Sequence, residues 1–333
     1  MLVSLMQFVT DLTPPPQLVA VWAEERGFAG LYVPEKTHVP ISRSTPWPGG
    51  ELPDWYRRCY DPVVALAAAA AVTTRLRVGT GACLVAVHDP ILLAKQIASL
   101  CAMSGERFVL GVGFGWNVEE LADHGVPFAD RIAVTVDKLA AMRALWAAEP
   151  VHYEGTHASV PPSWAWPKPA VAPPVLFGCR PSARAFEVIA RHGDGWQPIE
   201  GYGELLGALP MLHAAFERAG RDPATAQVCV YSSAGDPATL HEYRRAGVAE
   251  VALALPSAGR APVPLFLPTL QAKAAKREQA PRPRPGAGRP GPVGPAGGCV
   301  RRRRPGGQKP CLAPTSAAKP GRRSCAPRWI SPR

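Results

Sequence analysis

The residues best equipped for chemistry in this 333-residue chain stand where a short apolar run gives way to a helix-like pattern. Gly178-Cys179-Arg180-Pro181-Ser182 is the strongest such segment. Open amides at a helix start, the Ser182 hydroxyl and the Arg180 guanidinium together suit an anion such as a phosphate. The alternative reading of Arg180 is a solvated loop charge. Gly111-Val-Gly-Phe-Gly-Trp116 brings Gly113, Gly115 and Trp116 together, and glycine N–H groups can approach an anion or a flat ring because no Cβ intervenes. The spacing is not G-x-G-x-x-G, which argues against a dinucleotide fingerprint. Glu35-Lys36-Thr37-His38 offers a carboxylate, an amine and an imidazole. His38 can change protonation near neutral pH, so it reads either as a proton donor or as an ordinary loop residue.

Signatures of other chemistries are missing from the sequence: no P-loop, no H-E-x-x-H, no G-x-S-x-G and no EF-hand loop. His88, Asp123, His124, His152 and His157 have no spacing that requires a metal, so none is expected.

Eight apolar runs can position these residues: 2–8, 30–33, 76–80, 108–111, 175–178, 195–199, 228–231 and 251–255. Segments of helical periodicity lie between them, at 17–26, 62–74, 91–103, 131–147, 182–192, 204–219 and 239–246. In 131–147, Ile132, Val136, Leu139, Met142 and Leu145 fall on one face. Strand and helix in alternation imply a parallel sheet, and eight repeats close a (β/α)8 TIM barrel. Asp61-Pro62 and Asp89-Pro90 read as N-caps followed by proline at the first helical turn; Gly27, Gly193 and Gly247 follow helix ends. Two long connections stand out, 34–60 and the Pro/Trp-rich 150–174. The first follows a strand and belongs on the active face of a barrel. A last helix over 265–276 is expected to be ragged, because prolines crowd its start.

The domain organisation expected is a barrel over 1–279 and a disordered Pro/Gly/Arg-rich tail over 280–333. The formal charge of +11 comes from that tail: from Pro281 onward there are 11 Arg, 2 Lys and no acid, leaving 24 basic against 26 acidic side chains before it. The folded part is therefore not expected to bind nucleic acid, although Arg301 to Arg304 admit such a contact or a mere extension. The longest apolar run, 63–72, is far shorter than the roughly 20 residues of a membrane span. Eight cysteines without a C-x-x-C pair suit a reducing cytoplasm.

Five segments, 33–40, 61–81, 89–96, 104–116 and 193–196, taken in order, resemble the luciferase-like monooxygenase family, and within it the deazaflavin (coenzyme F-420) dependent oxidoreductases. The resemblance implies a cofactor lying across the C-terminal ends of the strands. Gly79, Thr80 and Gly81 match the segment that packs on the cofactor ring, and Gly81-Ala82 is the candidate for a non-proline cis peptide. Gly113, Gly115 and Trp116 match the loop beside the cofactor, and Gly178, Cys179, Arg180 and Ser182 its phosphate turn. Glu35 and His38 match catalytic positions, with Lys36 where the family often has a first histidine and Cys101 where an aspartate is usual. The implied cofactor is F-420, with FMN as the alternative and a flavin or deazaflavin reductase as a partner. Hydride transfer to or from a small apolar substrate and a homodimer follow from the same resemblance. Trp47, Trp55, Tyr56, Trp164 and Trp166 are candidate walls for the substrate pocket or ordinary loop packing. An inactive barrel is the non-catalytic rival.

Overall fold

The structure is a computed structural model that describes residues 1–147 and 149–257. The expected last helix and the tail fall outside those residues. Chain order is β1 (Leu2–Met6), α1 (Pro16–Glu25), β2 (Gly30–Val33), α2 (Pro62–Ala71), β3 (Arg77–Thr80), α3 (Pro90–Ser104), β4 (Phe108–Gly113), α4 (Val118–Asp123) and α5 (Arg131–Ala147). It continues through β5 (Val151–Glu154), β6 (Ser159–Ser163), β7 (Val175–Gly178), α6 (Ala183–His192), β8 (Gly195–Trp196), α7 (Leu205–Arg218), β9 (Gln227–Ser233), α8 (Pro237–Arg245) and β10 (Glu250–Ala254). Eight strands close a barrel in the order β1-β10-β9-β8-β7-β4-β3-β2, every pairing parallel. This is the (β/α)8 barrel that the alternation implies. β5 and β6 form a separate antiparallel hairpin inside the 150–174 connection, which the sequence reading treats as an irregular loop.

Local chemistry sets the helix starts. Asp61 Oδ1 accepts Val64 N–H at 2.9 Å and Asp89 Oδ1 accepts Leu92 N–H at 2.8 Å, each ahead of a proline whose missing N–H leaves no donor unsatisfied. Gly27 and Gly247 adopt φ of +75° and +83° after α1 and α8, as glycine readily does. Gly193 instead follows α6 in an extended conformation, where a side chain would run into the Phe177 ring. α4 is a short helix that periodicity alone does not reveal; Asn117 caps it through Oδ1.

The barrel interior is filled by opposing large and small residues. A Cβ on Gly79 would stand 2.5 Å from the Tyr32 ring, and one on Gly81 2.2 Å from the Tyr231 ring. On Gly111 it would strike the Thr80 carbonyl. At the N-terminal end of the barrel the buried Glu250 carboxylate accepts from Ser4, Tyr32 and Arg77, tying the first three strands to β10. Closure by β10 is continuous, with Leu2 to Met6 paired in register against Glu250 to Ala254. No helix among the described residues is long and apolar enough to cross a membrane.

Candidate functional site

All eight barrel strands deliver residues to one cavity of about 870 Å³ at their C-terminal ends. Met6 comes from β1, Glu35 and Lys36 follow β2, Gly81 and Ala82 follow β3, and Gly113 to Trp116 end β4. Gly178 to Arg180 end β7, Gln197 follows β8, Tyr231 and Ser232 lie in β9, and Ala254 ends β10. This is the face on which barrel enzymes build their sites, and the volume is that of a cofactor-sized pocket.

The floor is glycine-rich backbone. The Gly81–Ala82 peptide is cis, at the position the family resemblance implies. A Cβ on Gly178 would meet only ordinary contacts, none closer than 3.5 Å, and Gly178 lines the cavity. Gly115 takes φ +80°. Gly79 and Thr80 lie below the cavity rather than on it. Gly79 makes room for Tyr32, and Thr80 Oγ1 donates to the Gly111 carbonyl at 2.8 Å. The glycine at 79 therefore serves the internal packing of the barrel, where the resemblance places a cofactor ring.

One end of the cavity is basic. Arg180 is exposed at its rim with the guanidinium 5.5 Å from the Tyr202 ring centroid. Ser182 stands outside the cavity lining; its hydroxyl oxygen accepts Ala185 N–H at 3.2 Å and so caps α6. Its contribution to an anion site is thus to hold the helix start beside Arg180. Cys179 lines the cavity and its carbonyl accepts the Trp196 indole N–H at 2.9 Å, while the fully buried Trp196 ring packs on Phe186. Burial pushes the Cys179 thiol up to about 12.

Another part of the lining is aromatic. Trp47, Trp55 and Tyr56, from the 34–60 loop, line the cavity, with Tyr56 4.9 Å from Phe8 and 5.5 Å from Trp47. Trp164 and Trp166 do not join them. They are 85% and 63% exposed beside the β5–β6 hairpin. The loop is clamped by Glu119 of α4, whose carboxylate accepts Ser44 N–H at 2.6 Å, Thr45 N–H at 3.1 Å and both hydroxyls. The Thr45 hydroxyl and the Ser44 amide hold this carboxyl down at about 2. A carboxylate with a depressed pKa stabilises above its unfolded value and loses that contribution as pH falls through the folded one. Between the ordinary carboxylate range and pH about 2 the wild-type loop is therefore expected to open. Glu119→Gln is expected to speed proteolysis within residues 34–60 several-fold at neutral pH and to flatten that acid dependence, as followed by limited digestion.

Charged groups also meet in the cavity wall. Lys36 Nζ pairs with Glu120 of α4; their side chains are 5% and 1% exposed. The same ammonium lies 4.9 Å from the Trp116 ring centroid. Glu35 is buried. Its Oε2 accepts Leu84 N–H at 2.5 Å and its Oε1 lies 2.6 Å from His88 Nε2. Burial by itself would raise the Glu35 carboxyl, but His88 and the Leu84 amide hold it below its ordinary range. Burial likewise opposes charge on His88, yet Glu35 and Asp61 raise the imidazole above its ordinary value. His38 points elsewhere: it is exposed, with Nε2 2.9 Å from Asp123 Oδ2 and Nδ1 3.0 Å from the Thr37 hydroxyl. Of the 35–38 segment, Glu35 and Lys36 reach the cavity.

Arg131, Gln197 and Tyr231 also line the cavity and escape the sequence reading. Two of them carried a signal. Gln197 is a polar residue inside the apolar run 195–199, and Tyr231 ends a run whose C-terminus must face the site. Arg131 begins α5 and looks like any helix start. Glu35, Cys83 and His88 offer ligand atoms within 4.8 Å of one another, but Glu35 is already engaged by the Leu84 amide and by both neighbours.

A barrel with a glycine-floored, partly basic cavity at its C-terminal face is the architecture of a cofactor-binding enzyme. The pattern of the luciferase-like monooxygenase family matches residues 17–290, and the chain belongs to that family. An uncharacterized protein of Mycobacterium tuberculosis is 40% identical over 278 residues, covering 82% of this chain and 98% of its own length. The F-420-dependent glucose-6-phosphate dehydrogenase of Beutenbergia cavernae is 31% identical over 220 residues, 63% of this chain and 60% of that protein. The fold resembles the crystal structure of monooxygenase RslO1 from Streptomyces bottropensis with a TM-score of 0.70 at 21% identity, over 84% of this chain and 99% of that one. Family and relatives together make this chain an oxidoreductase.

Proposed function

We propose that the chain transfers hydride between coenzyme F-420 and a small, largely apolar organic substrate. The observation that carries this reading is one cavity with Arg180 at its rim just ahead of the α6 start, a glycine-rich floor, and aromatic residues in its lining. A relative named for F-420 dependence supports the deazaflavin over FMN.

The residues present fit such a group. Gly178 lines the cavity without a side chain to obstruct a flat ring, and the buried Tyr231 hydroxyl, in the cavity wall, has no hydrogen-bond partner among the described residues. Arg180 and the amides opening α6 would hold its phosphate, and Gly81, Ala82, Gly113 and Gly178 would border its ring. When bound, a deazaflavin supplies the two-electron redox chemistry that no side chain here can provide. Lys36, paired with Glu120 beside the Trp116 ring, would supply a cation toward an oxygen anion developing on a substrate in the cavity. Glu35 stands in the same wall as the group able to exchange a proton. Trp47, Trp55 and Tyr56 exclude water and select apolar substrates.

Titration of the full-length protein with F-420 and, separately, FMN tests the reading. Micromolar binding of F-420 with weaker FMN binding is expected. The reverse order would make the protein an FMN enzyme with a partner reductase, and binding of neither would leave an inactive barrel.

A further inference from the structure

A buried pair extends from the cavity toward solvent. Glu35 is a wall residue, and His88, bonded to its Oε1, is only partly covered. The imidazole therefore stands between cavity and water. It follows the short turn Val85–Val87, and the carbonyls of Ala86 and His88 anchor Lys138 Nζ at 2.6 and 2.7 Å, which fixes the backbone from which the ring extends. The titratable groups facing it are Glu35 after β2, Cys83 after β3, Asp61 at the start of α2, Lys138 on α5 and His124 at the end of α4. Backbone amides alone, such as that of Leu84, would suffice to anchor a structural carboxylate. An imidazole adds a partner that titrates near neutral pH and touches water.

We propose that His88 and Glu35 form a proton relay joining solvent to the cavity, a role that rests on reading the cavity as a redox site. The relay starts from imidazolium and carboxylate. The Nε2 proton passes to Glu35, the Glu35 carboxyl gives a proton to an acceptor atom in the cavity, and the imidazole, left as the Nδ1–H tautomer, regains one proton from solvent at Nε2 after a ring flip that turns this nitrogen outward. One proton has crossed the wall and no electrons have moved. Hydride transfer that leaves an oxygen or nitrogen anion consumes one such proton per turnover, and the opposite direction runs the relay outward.

The test uses the full-length chain with F-420 as the probe. On the wild type, the His88 ring is titrated by NMR with and without F-420. Binding is expected to move its midpoint, because Glu35 touches both cavity and imidazole, and the shift is expected to vanish in Glu35→Gln. A stopped-flow pH jump then follows the absorbance of bound F-420, which reports protonation of the chromophore. His88→Gln is expected to slow that response roughly 100-fold, the scale of a lost general acid, and free imidazole is expected to restore it. If F-420 fails to bind the wild type, the redox reading fails and the relay falls with it. If F-420 binds but leaves the His88 midpoint unmoved, or if His88→Gln responds as fast as wild type, the relay is overturned while the redox reading stands. A histidine that merely braced the turn would lower stability without changing either readout.

Discussion

Replacing Lys36 by methionine is expected to destabilise the fold by about 3–5 kcal/mol, the cost of breaking a buried ion pair from one side. Glu120 is the reason. Its carboxylate is almost wholly buried and one oxygen already lacks a hydrogen-bond partner among the described residues, so without Lys36 no ion pair among those residues offsets its charge. Methionine matches the lysine stem well enough to keep the contact with Trp116, which isolates the charge from the packing. Equilibrium unfolding in denaturant measures the loss. Lys36→Met with Glu120→Leu is expected to recover most of it, since removing both partners of a buried pair is often neutral. Turnover is not expected to recover in the double variant, because the cation facing the substrate is still missing. A loss below about 1 kcal/mol in the single variant would mean that the pair behaves as an exposed one, contrary to its burial.

Gly178→Leu is expected to abolish cofactor binding while leaving the fold intact. The ideal Cβ there meets only ordinary contacts, with the Gln197 carbonyl at 3.5 Å and the Ala82 methyl at 3.6 Å. Both neighbours line the cavity, so the further atoms of leucine extend into it. The expected result is a loss of F-420 affinity of at least about 100-fold, equivalent to roughly 2.7 kcal/mol, with an unfolding midpoint near that of the wild type. Gly81→Leu is the contrast. Its Cβ would strike the Tyr231 ring, so that change is expected to lose stability together with binding. Retained affinity in folded Gly178→Leu would move the cofactor away from this floor.

Much of the architecture is legible from local pattern. The eight barrel strands coincide with apolar runs, and Asp61 and Asp89 cap helices where proline follows an acid, because caps and periodicity are short-range properties. The β5–β6 hairpin is not legible in that way. Its strands are only four and five residues long and β6 carries two prolines, so the pattern is too short to read, and the hairpin is ordered against α5, where Asp137 accepts from Tyr153 and from the amides of His157 and Ala158. Side-chain direction is harder still. Lys36 and His38 lie two residues apart, yet one enters the cavity and the other pairs with Asp123 at the surface.

The glycine segments and the helix start at 178–182 are thus written in the sequence, because backbone access and helix starts depend on residues close in the chain. Which glycines border the cavity and which yield to an aromatic ring was decided only by the closed barrel. Gly79 and Gly81 differ by two positions, but Tyr32 fills the space over one and Tyr231 that beside the other. Long-range burial likewise chose Glu120 for Lys36 and His88 for Glu35, partners 84 and 53 residues away, because ions taken out of water must find one another wherever the fold brings them together.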